Sequence, residues 1–150
     1  MKVMIVEDEA LLGLGLQEEI TKAGHIVTGP VPSADEALAL AQSEQPNLAL
    51  IDLDLKNSSS PAGLARVLKD TLDIDSVLMT CELDLAVQDT DGALGVIAKP
   101  FDLADMPAAL DVAAKVQAGG APPPPNIPPP LTLLNQRPVP CIGACRSPDY

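Results

Sequence analysis

The stretch Leu48-Ala49-Leu50-Ile51-Asp52-Leu53-Asp54 decides how the rest of the sequence is read. Five of its seven residues are apolar, with Pro46-Asn47 before it and the polar run Lys56–Ser60 after it. A short apolar run with those boundaries predicts a fully buried central strand. Yet the run ends in carboxylates. In an open parallel sheet, ligands bind outside the carboxyl ends of the strands. Asp52 is therefore either a chemical group placed at such an end or the first solvated residue beyond a strand. The rest of the chain separates the two.

Upstream, Val3–Val6 predicts a short strand, followed at once by Glu7, Asp8 and Glu9. Ala10–Ala23 reads as a helix with Leu12, Leu16 and Ile20 on one face, and Gly24 suits its C-terminal end. Gly13 and Gly15 weaken that helix by about 1 kcal/mol each relative to Ala. His25–Gly29 is a second strand, and Ser33 with Glu36 forms a capping box for a helix over Ala34–Ser43. Downstream, Pro61 opens a helix through Thr71 with Leu64, Val67 and Leu68 inward. Ser76–Thr80 and Gly95–Ala98 are the fourth and fifth strands. Between them only a short helix around Leu83–Val87 is expected, because Asp89-Thr90-Asp91-Gly92 breaks it. Asp102 caps a last helix over Leu103–Gln117. Strand and helix alternate five times, which predicts an α/β fold: a flavodoxin-like (βα)5 three-layer sandwich with a parallel sheet in the order 2-1-3-4-5 and a short or missing fourth helix.

Composition sets the bounds. At 150 residues and 47% hydrophobic content the chain can build one domain core, but aromatics are only 1%, so the core is aliphatic. The formal net charge is −12, and residues 1–118 hold 20 Asp and Glu against 7 Lys and Arg. Direct nucleic-acid binding needs clustered cations and is not expected; a basic protein surface or a divalent cation suits this charge better. The N-terminus turns acidic too early for a signal peptide, and no run approaches the roughly 18 apolar residues of a membrane span. A cytoplasmic location with reduced thiols is expected. Residues 1–118 form the domain. Residues 119–150 hold 10 of the 16 prolines, so a disordered or polyproline-II tail without helix or sheet is expected. Within it, Leu131, Leu133 and Leu134 are able to dock on the domain or a partner. Cys141 and Cys145 have no His or third Cys near in sequence to complete a metal site.

The strand ends converge on one chemistry. Glu7, Asp8 and Asp52 fall at carboxyl ends of strands that should be neighbours. Two carboxylates at ~4 Å repel by ~4 kcal/mol at an effective dielectric of 20. Three in one pocket call for a proton or a cation, and oxygen-only ligation selects a hard ion such as Mg²⁺. Thr80 ends the fourth strand with a hydroxyl, and Lys99 ends the fifth with a point charge suited to a phosphate.

Acid pair, central Asp, Thr and Lys, in that order on strands one, three, four and five, resemble the receiver domain of two-component response regulators over residues 1–118. The resemblance implies that Glu7, Asp8 and Asp52 hold Mg²⁺ together with the backbone carbonyl of Asp54. It implies that Asp52 is the phosphoacceptor, Thr80 the switch hydroxyl and Lys99 the phosphate-binding lysine, with a cis Lys99–Pro100 bond. A sensor histidine kinase or histidine phosphotransferase is the implied donor. Phe101 fits the Lys-Pro-Phe ending of many receivers. The Asp-Leu-Asp-Leu and Ser-Ser-Ser-Pro-Ala-Gly runs are similar to receivers of alphaproteobacterial stress and light-response pathways.

Two departures stand out. Val96 occupies the usual switch-aromatic position, three residues before the lysine. Residues 82–98 hold four acids and no Lys or Arg, so that face suits a basic downstream partner, and a monomer or weak dimer, better than a salt-bridged dimer. The sequence shows no helix-turn-helix output, so signalling by protein contact is expected, not enzymatic turnover. Two other readings remain open at this point. One is a pseudo-receiver that binds partners unphosphorylated. The other is a haloacid-dehalogenase-type phosphatase, whose D-x-D nucleophile Asp52-Leu53-Asp54 resembles. In that family the metal-binding acids follow the motif instead of preceding it, and Lys56 stands where Thr or Val is usual.

Overall fold

A computed structural model of the chain describes residues 1–56, 61–81, 93–119 and 131–133. Within them run β1 (Lys2–Val6), α1 (Ala10–Lys22), β2 (Ile26–Val31), α2 (Ala34–Glu44), β3 (Leu48–Asp52), α3 (Pro61–Leu72), β4 (Asp75–Thr80), β5 (Ala93–Ala98), a 3-10 turn (Leu103–Asp105), α4 (Met106–Ala118) and β6 (Leu131–Leu133). The sheet order is β2-β1-β3-β4-β5-β6. The first five strands are parallel, in the expected 2-1-3-4-5 order.

Period-2 alternation sends each strand's side chains to two different helical layers. On one face Val3, Ile5, Leu48, Leu50, Val77 and Met79 pack with Leu16 and Ile20 of α1 and Met106 and Leu110 of α4. On the other, Met4, Val6, Ala49, Ile51 and Leu78 pack with Ala37 and Ala41 of α2 and Leu64 and Leu68 of α3. A strand buried on both sides has no polar face to show, and this explains the unbroken apolar run of β3. Register brings the strand ends level: Val6 pairs with Ile51, and Asp52 with Met79.

Several local expectations hold. Ser33 Oγ accepts from Glu36 N at 3.3 Å and caps α2. Asp102 Oδ1 accepts from Ala104 N at 3.0 Å and caps the turn that leads into α4. Gly24 follows α1 at a φ of 96°, in the left-handed region that suits glycine. Others need correction. Val67 is 40% exposed, and Ala65 is the buried neighbour of Leu64 and Leu68 on α3. β2 runs past Gly29 through a cis Gly29–Pro30 bond to Val31, which an edge strand tolerates because Pro has no N–H to pair.

The tail is not free of sheet. Leu131–Leu133 forms β6, antiparallel on β5. Prolines cluster on both sides of this segment, but residues 131–136 contain none, so its backbone can donate to a ladder that β5 otherwise leaves open. Leu131 is buried in the α1/α4 layer. The short or missing fourth helix, the rest of the tail, and Cys141 and Cys145 lie outside the described residues.

The two glycines that weaken α1 also let it sit close. A Cβ at Gly13 would lie 2.9 Å from Pro30 Cγ, and one at Gly15 would lie 2.6 Å from Leu103 Cδ1. The proline ring is stiff, whereas Leu103 Cδ1 ends a rotatable side chain. Gly13→Ala is therefore expected to lower stability by about 1 kcal/mol, the clash outweighing the helix-propensity gain. Gly15→Ala should lie between neutral and about 1 kcal/mol stabilising. Urea melts of the two variants check the contrast, and the reverse order would contradict it.

Candidate functional site

The level strand ends form the floor of a cleft. Glu7 follows β1, and its backbone N donates to Val31 O at 3.0 Å, tying the acid pair to the end of β2. Asp52 closes β3 and is buried. Beyond β5, Lys99 N donates to Thr80 O at 2.8 Å, which extends the β4–β5 ladder by one bond and aims the lysine back across the sheet. The Lys99–Pro100 bond is cis. The cleft measures about 420 Å³ and is lined by Glu7, Asp8, Glu9, Pro32, Asp52, Asp54, Lys56 and Lys99.

One ammonium meets three carboxylates there. Lys99 Nζ lies 2.8 Å from Asp52 Oδ1, 3.7 Å from Asp54 Oδ2 and 3.9 Å from Glu7 Oε2. Burial alone pulls the Lys99 pKa down. The hydrogen bond to Asp52 and the charges of Asp52, Glu7 and Asp54 outweigh it, so the lysine is held above its ordinary value and stays protonated. Glu7 goes the opposite way. Burial, then its hydrogen bond with Asp52, raise its pKa from 4.5 to about 7, against the N–H of Glu9 and the charge of Lys99. Glu7 Oε1 accepts from Glu9 N at 3.0 Å, while the buried Oε2 receives no hydrogen bond, and the bond to Asp52 exists only when Glu7 is protonated.

An orphaned buried oxygen beside two further acids is what a hard cation would satisfy. Ligand oxygens of Glu7, Asp8 and Asp52 lie within 4.8 Å of one another, and the all-oxygen donor set fits Mg²⁺. Asp8 Oδ2 is held by the Lys56 amide at 2.9 Å, and Asp52 Oδ1 by the Asp54 amide at 2.8 Å. These bonds fix both carboxylates from the β3–α3 side.

Of the residues singled out from sequence, Glu7, Asp8, Asp52, Asp54 and Lys99 come together in the cleft. Thr80 sits at the end of β4 but is buried and is not among the lining residues. The Asp54 side chain does more than carry charge: its Oδ2 accepts from Cys81 N at 3.2 Å, joining the end of β3 to the segment after β4. Lys56 was missed as a lining residue. The only hint in the sequence was a cation four places after Asp52 in an acidic neighbourhood.

The sequence matches the family model described as the response regulator receiver domain over residues 3–111. It is 30% identical over 115 residues to the phyllosphere-induced regulator PhyR of Methylorubrum extorquens, covering 75% of this chain and 43% of that protein. It is 27% identical over 115 residues to the transcriptional regulatory protein PdtaR of Mycobacterium tuberculosis, covering 75% and 56%. The chain thus spans about half the length of these curated relatives. Among solved structures, the signal receiver domain of a modulated diguanylate cyclase from Desulfovibrio desulfuricans G20 matches with a TM-score of 0.70 at 23% identity, covering 80% of this chain and 98% of that one. No helix among the described residues is long and apolar enough to cross a membrane.

The raised Glu7 pKa carries a stability prediction. A carboxyl with a folded pKa above its unfolded value contributes stability below the unfolded pKa and loses it as pH rises through the folded one. In chelator-treated buffer, the wild type should lose up to roughly 3 kcal/mol from this group between about pH 4.5 and pH 7. Glu7→Gln should remove that slope and be the more stable protein at pH 7.5. Urea melts across the pH range measure it; parallel profiles for the two proteins would overturn the assignment.

Proposed function

Because the chain belongs to the response regulator receiver domain family, we propose that Asp52 is the phosphoacceptor of a two-component signalling protein. The observation that carries this reading is the 2.8 Å contact of Lys99 Nζ on Asp52 Oδ1, inside the acidic cleft that contains Glu7 and Asp8. A structural ion pair would not need two more carboxylates at its side. A phosphoryl-transfer site does, because they hold a cation.

In this reading Glu7, Asp8 and Asp52, with the backbone carbonyl of Asp54, hold Mg²⁺. Bound there, the ion supplies charge neutralisation on the phosphoryl oxygens. The protein's own groups do the rest. An Asp52 carboxylate oxygen attacks phosphorus of a phosphohistidine on a sensor histidine kinase or histidine phosphotransferase. A P–O bond forms, the P–N bond breaks, and the electron pair leaves on the imidazole nitrogen. Lys99 follows the charge from Asp52 Oδ1 to the incoming phosphoryl oxygens, so catalysis is positioning and electrostatics. The Thr80 hydroxyl, at the end of β4, would respond to those oxygens, and its response is how the cleft would bias the surface around it. The output is a contact with a downstream protein bearing a basic surface, made in the cytoplasm without direct nucleic-acid binding, by a monomer or weak dimer.

Intact-mass spectrometry after incubation with phosphoramidate tests this. Wild type with Mg²⁺ should gain one phosphoryl group. Asp52→Asn should gain none, chelation should abolish the gain, and Lys99→Ala should slow it by about 10- to 100-fold, the worth of a charged hydrogen bond. Modification that persists in Asp52→Asn would move the acceptor elsewhere. No modification together with no Mg²⁺ binding would favour an unphosphorylated binding module.

A further inference from the structure

The Lys56 side chain has no part in the chemistry described so far. Its backbone N holds Asp8 Oδ2 at 2.9 Å, which fixes the residue in the cleft lining beside the acid pair. Any residue but proline could make that bond. The ammonium, on an exposed side chain, needs a separate account.

Charge supplies one. Among the described residues that line the cleft, five carboxylates (Glu7, Asp8, Glu9, Asp52 and Asp54) face two cations, Lys56 and Lys99. Lys99 is committed to the carboxylates within 4 Å of it, those of Asp52, Asp54 and Glu7, and its side chain is only 19% exposed. Even a divalent cation among the acids leaves this lining net negative. A phosphoryl donor is itself an anion, and it reaches Asp52 only by crossing that field. Clefts lined by one sign of charge focus field lines, so a single opposite charge in the lining weighs heavily on an approaching ion. Lys56 supplies that charge. Its ammonium is a compact point charge on a flexible four-carbon stem, able to follow an anion inward.

We propose that Lys56 is the donor-receiving residue of the cleft: its ammonium attracts a doubly charged phosphoryl donor and brings it to Lys99 and Asp52. The proposal rests on the reading of Asp52 as phosphoacceptor and names what that reading leaves open, the charge of the donor that the site prefers. It also has a distinctive sign. A cation that attracts the donor repels Mg²⁺, so removing it should slow the reaction and tighten Mg²⁺ binding. A residue that merely propped up the acid triad would weaken both on removal.

The test uses the full chain saturated with Mg²⁺ and two small donors near neutral pH. Acetyl phosphate is doubly charged and transfers its phosphoryl group with acetate leaving; phosphoramidate is singly charged and transfers it with ammonia leaving. Intact-mass spectrometry gives the rate of Asp52 modification per unit donor concentration. With acetyl phosphate at low ionic strength, Lys56→Ala should react about 3-fold and Lys56→Glu about 10-fold more slowly than wild type, with Lys56→Arg within about 2-fold of it. These differences should shrink as salt rises. With phosphoramidate the factors should fall to roughly their square roots, because the interaction scales with donor charge. Calorimetry should show Mg²⁺ binding to Lys56→Glu about 2- to 3-fold tighter than to wild type. Wild type that gains no phosphoryl group from either donor overturns the phosphoacceptor reading and this proposal with it. Wild type modified at Asp52, with Lys56→Ala and Lys56→Glu reacting equally fast, overturns this proposal alone. So do slower reaction coupled to weaker Mg²⁺ binding, equal losses with both donors, and reaction of wild type with phosphoramidate only.

Discussion

A single ammonium, Lys99 Nζ, faces the carboxylates of Asp52, Asp54 and Glu7 within 4 Å, and much of the upper end of this protein is arranged around that imbalance. Removing charges from water is costly unless each finds a partner, and one cation does not satisfy three anions. The structure answers in part with backbone: the Asp54, Lys56 and Glu9 amides each hold one carboxylate oxygen. What remains is carried by Glu7, whose buried Oε2 is left without a hydrogen bond and whose pKa rises to about 7. The cleft is thus poised to take up positive charge, as a proton or as a divalent cation. A site balanced without the cation would bind it less well.

The same imbalance explains why the sheet ends must be level. Val6, Asp52 and Thr80 fall at matched heights because β1, β3 and β4 keep register through Val6–Ile51 and Asp52–Met79. A slip of one residue would turn Asp52 to the opposite face and bury it in an aliphatic layer. The unbroken apolar run of β3 does not by itself resist that slip. Its ordered neighbours do, with small Ala49 facing α2 and α3 and bulky Leu48 and Leu50 facing α1 and α4.

How much of this was legible depends on the range of the interaction. Strand order, helix faces and the convergence of Glu7, Asp8, Asp52 and Lys99 follow from local period and alternation, which sequence displays directly. Three features did not show, and all are contacts between segments far apart. Gly13 and Gly15 read only as helix weaknesses, because Pro30 and Leu103, the atoms they make room for, come from other elements. Val67 fits the apolar stripe of α3 yet is exposed, since Ala65 is the residue the sheet accepts. Thr80 has the right place on its strand, but its burial comes from β4 lying between β3 and β5, which are distant in sequence.

The tail shows the limit most clearly, and its logic lies in the two edges of the sheet. An open edge invites pairing with other chains. At β2 the edge carries Pro30, which cannot donate, next to Gly29, and Ile26 stands exposed at its start; the strand discourages a neighbour by its own sequence. β5 has no such device. Ala93–Ala98 contains neither proline nor charge, so its edge has to be covered. Proline density argues against sheet when averaged over residues 119–150, but the average hides that Leu131–Gln136 is free of proline between Pro130 and Pro138. Leu131–Leu133 covers the edge by pairing with Gly95, Val96 and Ile97, and Leu131 adds a buried apolar side chain to the layer beside the edge.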